Sequence, residues 1–186
     1  MQPDERQQLI AQYTDGYRVV AEALVKATPE QLDAAPGPGK WTARQIVHHL
    51  ADSEMTAAVR FRLLLAEDRP AIKGYDQDRF ADRLHYERPH EASLELFRAA
   101  RASTAELMGC LDESDWLREG THSEVGRFGL DTWLRIYGPH AHRHAEQIRV
   151  ALRAAAQAKE PADAISTKDT CLEGRGRRLR RDPSPS

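Results

Sequence analysis

The sequence predicts an all-α protein built as a four-helix bundle. Four long segments of the 186-residue chain carry apolar residues spaced three and four positions apart, which is the period of one face of an α-helix. The segments between them are charged or rich in glycine and proline, and they lack the alternation of apolar and polar residues that marks half-buried strands. Four amphipathic helices bury their apolar faces most simply against one another.

The first predicted helix spans residues 4–26. Its regularly spaced apolar residues are Leu9, Tyr13, Tyr17, Val20 and Leu24. Thr28 and Gln31 then form a capping box, the reciprocal pairing of side chains and backbone that opens a helix, and predict a short helical turn. The Pro-Gly-Pro-Gly run at 36–39 ends this region, because neither residue type supports a continuing helix.

The second predicted helix, residues 43–66, has a well-defined start. Thr42 occupies the N-cap and Gln45 the third helical position, which again makes a capping box. Trp41 precedes the cap and is placed to pack on Ile46, an apolar contact that fixes the direction of the chain. We therefore interpret Trp41 as an anchor of the helix end.

Two connections and two helices complete the predicted bundle. Residues 67–89 form a long charged connection, which is either a crossing that lets helices pack in non-sequential order or a rim over a site. The third helix spans 89–111, and a second connection follows at 112–127. The fourth helix spans 131–156 and contains Pro139, which predicts a kink because proline removes a backbone donor and clashes one turn back.

The composition is that of an ordinary soluble globular protein. Hydrophobic residues make up 40% and charged residues 30%, and the formal net charge of −2 gives no overall attraction to nucleic acid or membrane. Two cysteines, Cys110 and Cys171, provide neither a disulfide framework nor a zinc motif. The N-terminus lacks the apolar core of a signal peptide, and no apolar run is long enough to span a membrane. We expect a cytoplasmic protein.

The last segment differs from the rest of the chain. Helical periodicity ends near residue 158, and five arginines lie within 175–181. We predict one domain over residues 1–158 and a disordered basic tail over 159–186. Because the arginine run has no aromatic residues for base stacking, any contact with nucleic acid should be weak and sensitive to salt.

Five histidines in the second and fourth helices divide into two groups. His140 and His144 lie four residues apart, so their side chains share one helix face. On a helical wheel His49 borders the apolar stripe of its helix, whereas His48 and His142 point away and are predicted to face water. The sequence therefore predicts that His49, His140 and His144 meet at one point inside the bundle.

Three converging imidazoles are typical of a catalytic metal site with an open coordination position. A divalent ion at such a site lowers the pKa of a bound water or thiol and so produces a nucleophile at neutral pH. Zinc, nickel, iron and manganese all accept imidazole, so the number of ligands does not select among them. The alternative is three partly buried histidines that are satisfied by hydrogen bonds alone.

Three further side chains are candidates for a role beside the histidines. Ser53 and Gln147 lie on the inward faces, and Gln147 is three residues from His144, where it can orient the imidazole or bind substrate. Arg60 lies about 16 Å along the helix from His49, too far to be a ligand. It can meet an anionic group of a substrate, although a salt bridge within the bundle is the favoured interpretation. Motifs of serine hydrolases, kinases and zincins do not occur.

These residues resemble a known family. The run from Trp41 to Glu54 (WTARQIVHHLADSE), the Arg60-Phe61 pair and the later HAHRHAEQI run at 140–148 are similar to the DinB superfamily, and most of all to its YfiT branch of metal-dependent hydrolases and bacillithiol S-transferases. The resemblance covers about residues 5–156. Two positions depart from the family pattern: Pro139 interrupts the helix, and Gln147 stands where the YfiT branch can carry another histidine.

The resemblance implies an unusually connected four-helix bundle, often dimeric, that holds a metal ion between its second and fourth helices at His49, His140 and His144. It favours an enzyme that transfers a low-molecular-weight thiol onto a small-molecule substrate, with zinc or nickel as the ion and iron or manganese as further choices. Hydrolysis of a substrate by metal-activated water is the first alternative. A non-catalytic metal-binding module of a stress response is the second.

Overall fold

Helices account for most of residues 1–158, the part of the chain that this computed structural model describes. The predicted basic tail, residues 159–186, lies outside the described residues. Two short helices accompany the long ones: α2 (Pro29–Asp33) and α4 (Gln77–Arg83). The long helices are α1 (Pro3–Leu24), α3 (Ala43–Ala66), α5 (Glu91–Met108), and the consecutive pair α6 (Leu130–Tyr137) and α7 (His140–Gln157). Within residues 1–158, no helix has the length and hydropathy needed to cross a membrane.

The long helices form the predicted four-helix bundle with non-sequential packing. Helix α1 packs on α5 and α7, and α3 packs on the same two helices, so α1 and α3 lie diagonally opposite each other. The segment between α1 and α3 therefore crosses the end of the bundle. This arrangement places α3 beside α7, although the two helices lie far apart in sequence.

Both predicted capping boxes are present. The Thr28 Oγ1 atom accepts a hydrogen bond from the backbone N–H of Gln31 (3.3 Å), and the Gln31 Oε1 atom accepts one from the Thr28 N–H (3.0 Å). Thr42 and Gln45 make the same pair of contacts at 3.2 and 2.9 Å. Helix α3 consequently begins and ends where the sequence predicts, which fixes the position of His49 on its second turn.

The helix break at Pro139 divides the fourth helix of the bundle into α6 and α7. The carbonyl groups at the end of α6 lack their usual backbone N–H donors here, and two arginine side chains donate to them instead. Arg143 donates to the Ile136 carbonyl at 3.3 Å, and Arg101 donates to the Tyr137 carbonyl at 3.0 Å. The break thus falls where proline predicts it, and His140 becomes the first residue of α7.

The expectation that the two long connections contain no strands is wrong. They supply a three-stranded sheet in the order β1 (Ala71–Ile72), β2 (Glu119–His122) and β3 (Gly126–Gly129), with β1 parallel to β2 and β2 antiparallel to β3. Strands of two and four residues are too short to show a period of two in the sequence. The sheet lies beside the bundle and is not its centre, since Ile72 and Phe128 pack into a core formed mainly by helices.

A buried ion pair joins the helices near the middle of the bundle. Arg101 on α5 and Glu54 on α3 are 2% and 1% exposed, and the guanidinium donates to the Glu54 carboxylate. The hydroxyl of Tyr13 on α1 donates to the other carboxylate oxygen. Arg101 Nε also donates to the Tyr13 carbonyl (2.6 Å), so each guanidinium nitrogen and both Glu54 oxygens have a hydrogen-bond partner. Burial and the neighbouring Glu54 raise the pKa of Tyr13, which keeps its hydroxyl protonated as a donor.

Replacing Arg101 by methionine should lower the free energy of unfolding by about 3–5 kcal/mol, because it leaves the buried Glu54 carboxylate unpaired. Urea denaturation measures this loss. The matched control is Arg98→Met on the same helix, whose pair with Glu95 is solvent-exposed, and it should change stability little. A loss for Arg101→Met no larger than that for Arg98→Met would contradict the assignment.

Candidate metal centre

Three histidines meet between α3 and α7 as the sequence predicts. His49 on α3 and the pair His140 and His144 on α7 each offer a nitrogen, and these nitrogens lie within 4.8 Å of one another. The ring of His49 lies 5.4 Å from that of His140 and 4.7 Å from that of His144, measured between centroids. The remaining distance, between the rings of His140 and His144, is 4.5 Å. Together they form a group that can hold one metal ion.

The spacing of the nitrogens matches what a single ion requires. The Nε2 atoms of His140 and His144 lie 3.1 Å apart, and two nitrogens bound tetrahedrally to one zinc ion lie about 3.3 Å apart. The Nδ1–H of His144 donates to Gln147 Oε1 at 2.7 Å, which leaves the lone pair of His144 on Nε2. The buried Nδ1 of His49 has no hydrogen-bond partner within the described chain. Hydrogen bonding alone therefore does not satisfy this group.

The three imidazoles are held in the neutral form that binds metals. Burial lowers the pKa of His49 to about 3, and the nearby His144 adds to this effect. Burial, followed by the other two histidines, lowers the pKa of His140 to about 2. The pKa of His144 is also lowered by burial, while its bond to Gln147 acts in the opposite direction. At neutral pH a proton does not compete with an ion for these nitrogens.

Trp41 also lies at the site, although its sequence context predicted only an anchor of the helix end. Its ring lies 4.9 Å from the ring of His49 and 6.4 Å from the ring of the buried Tyr86. The sequence predicted only the packing of this tryptophan at the start of α3. Its second contact depends on the position of Tyr86 in the segment before α5, which no local pattern indicates.

A cleft of about 610 Å³ opens beside His144. Trp41, Ile46 and Val150 give it an apolar wall, and the charges at its lining are balanced, with Lys40 and Arg143 opposite in sign to Asp78 and Glu146. Gln147, which the sequence analysis proposed as an orienting or substrate-binding residue, also lines the cleft. The connection at 67–89 was expected to be either a crossing or a rim over a site. Gln77 and Asp78 at the start of α4 line the cleft, so this part of the connection does form a rim.

Ser53 and Arg60 lie on the same side of α3 as His49, but neither reaches the three nitrogens. Ser53 is buried one turn after His49 and lies close to the phenol of Tyr75. Burial raises the pKa of Tyr75, and the hydrogen bond with Ser53 offsets part of this rise. Arg60 donates from Nη1 to the Tyr137 hydroxyl at 2.8 Å. The favoured interpretation of Arg60 as part of a bundle salt bridge is wrong, because no carboxylate within residues 1–158 pairs with it.

The prediction that His48 faces water is also wrong. His48 is fully buried, and its Nδ1 and Nε2 atoms lie 2.8 Å from Ser93 Oγ and 3.0 Å from the Arg88 carbonyl. A helix with bundle neighbours on two sides buries a wider arc than the single stripe of a helical wheel. His142 is half-buried against α1, where its Nε2 lies 3.3 Å from the Asp15 carboxylate. Both histidines remain outside the three-histidine group.

Three histidines that converge between packed helices beside a cleft define a candidate metal-binding bundle, and the sequence places it in a known family. The family model described as the DinB superfamily matches residues 12–148. The chain belongs to the DinB superfamily.

Relatives and a solved structure agree with this assignment. A protein of Oceanobacillus iheyensis named "Putative metal-dependent hydrolase" is 35% identical over 131 residues, 70% of this chain and 76% of that protein. A protein of Bacillus mycoides with the same description is 30% identical over 129 residues, 69% and 75% of the two chains. The structure of YfiT from Bacillus subtilis, described as "a probable metal-dependent hydrolase with an unusual four-helix bundle topology", is 28% identical with a TM-score of 0.77. The match covers 84% of this chain and 90% of YfiT.

The metal-free protein should lose stability on acidification. Below pH about 6.5 the histidines of the unfolded chain take up protons, whereas folded His49 and His140, with pKa values of about 3 and about 2, do not. The free energy of unfolding should therefore fall as the pH drops below about 6.5, by up to about 1.4 kcal/mol per pH unit for each histidine. Urea denaturation in the presence of a chelator measures the slope. His49→Leu should reduce it, and an unchanged slope would contradict the burial of a neutral imidazole.

Proposed function

We propose that this protein is a metal-dependent enzyme that binds one divalent ion, zinc or nickel, through His49, His140 and His144, with iron or manganese as the chemical alternatives. The observation that carries the proposal is the convergence of three neutral imidazole nitrogens within 4.8 Å beside an open cleft. The agreement between the 3.1 Å nitrogen separation and a single ion supports it. The unpartnered Nδ1 of His49 supports it further.

The composition of the group favours catalysis over a structural role. Structural zinc sites are closed by four protein ligands, whereas catalytic sites keep a position for substrate. Within residues 1–158 no carboxylate or thiolate joins the three histidines. A non-catalytic binding module would need a fourth ligand, so this difference favours the enzyme.

The residues around the histidines have separate tasks in the proposed site. When bound, a divalent ion supplies Lewis-acid activation and lowers the pKa of a nucleophile. Gln147 fixes the ring of His144 through the 2.7 Å hydrogen bond to Nδ1. Trp41 packs against His49 and forms the apolar wall of the cleft, where it excludes water from one side of the site.

A low-molecular-weight thiol is the nucleophile that we propose. A thiol has an ordinary pKa near 8.5, so an ion can deprotonate it at neutral pH without a strong general base. A nucleophile that needs no strong base fits this site, because the three-histidine group contains no carboxylate. The carboxylate of the nearby Asp52 is already engaged, since it accepts a hydrogen bond from Tyr86 at 2.7 Å. The reaction would form a bond from the thiol sulfur to an electrophilic carbon, displace a leaving group, and release the thiol proton to solvent.

Hydrolysis is the second candidate, and the names of the relatives favour it. The proteins of Oceanobacillus iheyensis and Bacillus mycoides carry the name of metal-dependent hydrolases, and YfiT has a similar description. In that reaction water would replace the thiol as nucleophile. Asp78 and Glu146, which line the cleft, are the carboxylates available to accept its proton.

Metal content tests the ligand set. Untagged protein should carry about one divalent ion per chain, and His140→Ala should lose it, because two imidazoles bind an ion much more weakly than three. The matched control is His142→Ala, which removes a histidine of the same helix that lies outside the group and should retain the ion. Equal metal loss in both variants would contradict the proposed ligands.

The choice of nucleophile is tested with the zinc- and nickel-loaded proteins. We expect consumption of small thiols such as cysteine in the presence of 1-chloro-2,4-dinitrobenzene, with release of chloride, and little hydrolysis of 4-nitrophenyl acetate. Gln147→Leu should weaken metal binding about 10–100-fold, since it removes the partner that orients His144. Ester hydrolysis without any thiol reaction would support the second candidate and exclude the first.

A further inference from the structure

Two arginines are buried within residues 1–158, and they differ in how their charge is neutralised. Arg101 pairs with the Glu54 carboxylate. Arg60 is only 8% exposed and has neutral partners: Nη1 donates to the Tyr137 hydroxyl at 2.8 Å, and Nη2 donates to the Lys73 carbonyl at 2.7 Å. A buried cation without a counter-charge is costly, since desolvation of an ion is recovered only by pairing.

The guanidinium of Arg60 also has an unused donor. Its Nε is buried and has no hydrogen-bond partner within the described chain. The ring of Tyr75 lies 5.7 Å from the guanidinium carbon and contributes a π-face, which stabilises a cation weakly but does not accept the Nε–H. The Nε–H of Arg60 thus has no acceptor, and its guanidinium has no counter-charge. An anion bound at Nε would supply both.

The groups in contact with Arg60 are neutral. The carboxylates of Asp52 and Glu54 act on Tyr75 and Tyr137 through their charge, but they are engaged by Tyr86 and Arg101. The Tyr137 hydroxyl accepts from Arg60, so its own proton is free to be donated. Ser53 and Tyr75 add two more hydroxyls. The positive charge also reaches His122, whose pKa is lowered first by burial and then by Arg60. This set of groups suits the binding of a single negative charge.

This cluster lies next to the three histidines. Ser53 follows His49 by one turn of α3, and the ring of Tyr137 lies 6.0 Å from the ring of His140. Lys73 and Tyr75 cover Arg60 from the connection between β1 and α4, and they are exposed and half-buried respectively. The guanidinium therefore lies one layer beneath solvent, between this connection and the proposed metal centre.

We propose that Arg60 binds a carboxylate group of the substrate, with Arg60 Nε–H and the Tyr137 hydroxyl as donors. One uncompensated positive charge matches a monoanion, and the unpartnered Nε–H of the guanidinium presents a charged donor to a carboxylate oxygen. That the carboxylate belongs to a substrate rests on the proposed function. The presence of an anion site rests on the contacts of Arg60 alone.

The test follows the Arg60 Nε–H signal in nitrogen-15 NMR spectra, assigned by its loss in Arg60→Lys. Sodium propionate is added to the zinc-loaded protein and to the metal-free protein, and propionamide and sodium chloride at equal ionic strength serve as controls. We expect a saturable shift of the Arg60 signal with propionate only. The Nε–H of Arg62 should not move, because the Nη1 and Nη2 atoms of that guanidinium donate to Thr104 and Ser103 of α5 on another face of α3.

Affinity in variants provides the second measurement. Arg60→Gln should raise the dissociation constant for propionate at least about tenfold, as expected for the loss of a charged hydrogen bond. Arg62→Gln should leave it within about twofold, because that side chain does not face the site. Should Arg60→Gln fail to fold, the wild-type titration still decides the proposal.

The outcomes separate the two proposals. An Arg60 signal that propionate leaves unmoved, or that chloride or propionamide moves equally, overturns the anion site even when zinc binds to the histidines. A propionate shift in a protein that binds no zinc supports the anion site while the proposed function fails. A shift that persists in both forms, together with bound zinc, supports both proposals.

Discussion

The buried contact between Arg101 and Glu54 is the interaction on which the arrangement of this bundle depends. Arg101 reaches from α5 to a carboxylate of α3, to the backbone of α1 and to the last carbonyl of α6. All four helices of the bundle, the fourth through α6, thus share one polar centre. The last of these bonds engages the Tyr137 carbonyl at the end of α6, so the same arginine stabilises the break that makes His140 the first residue of α7.

Local sequence patterns predicted a large part of this structure. Capping residues define the start of α3, because their side chains accept hydrogen bonds from nearby backbone N–H groups. Proline defines the break before α7, because it lacks an N–H and its ring clashes with the preceding turn. The spacing of His140 and His144 and the wheel position of His49 were sufficient to predict that these three imidazoles face the interior of the bundle. These features depend on residues within one or two turns of each other.

The features that sequence did not predict depend on contacts between distant segments. His48 is buried because Ser93 and the Arg88 carbonyl cover it, and neither is visible from the wheel of α3. Strand β1 forms because its backbone pairs with β2 across about 50 residues, whereas β2 and β3 form a local hairpin whose strands are too short to show alternation in the sequence. Arg60 lacks a salt bridge for a related reason, since the groups that surround it come from Lys73 and Tyr137.

The packing of α3 beside α7, two helices far apart in the sequence, determines how the three-histidine centre assembles during folding. His49 is about 90 residues from His140 in the chain, so closing the centre requires a long loop whose entropic cost is recovered only when α3 and α7 dock. An unfolded chain offers at best the local pair of histidines from α7. An ion with a preference for three nitrogens therefore selects the native topology, and its binding energy is added to the stability of the folded protein by mass action.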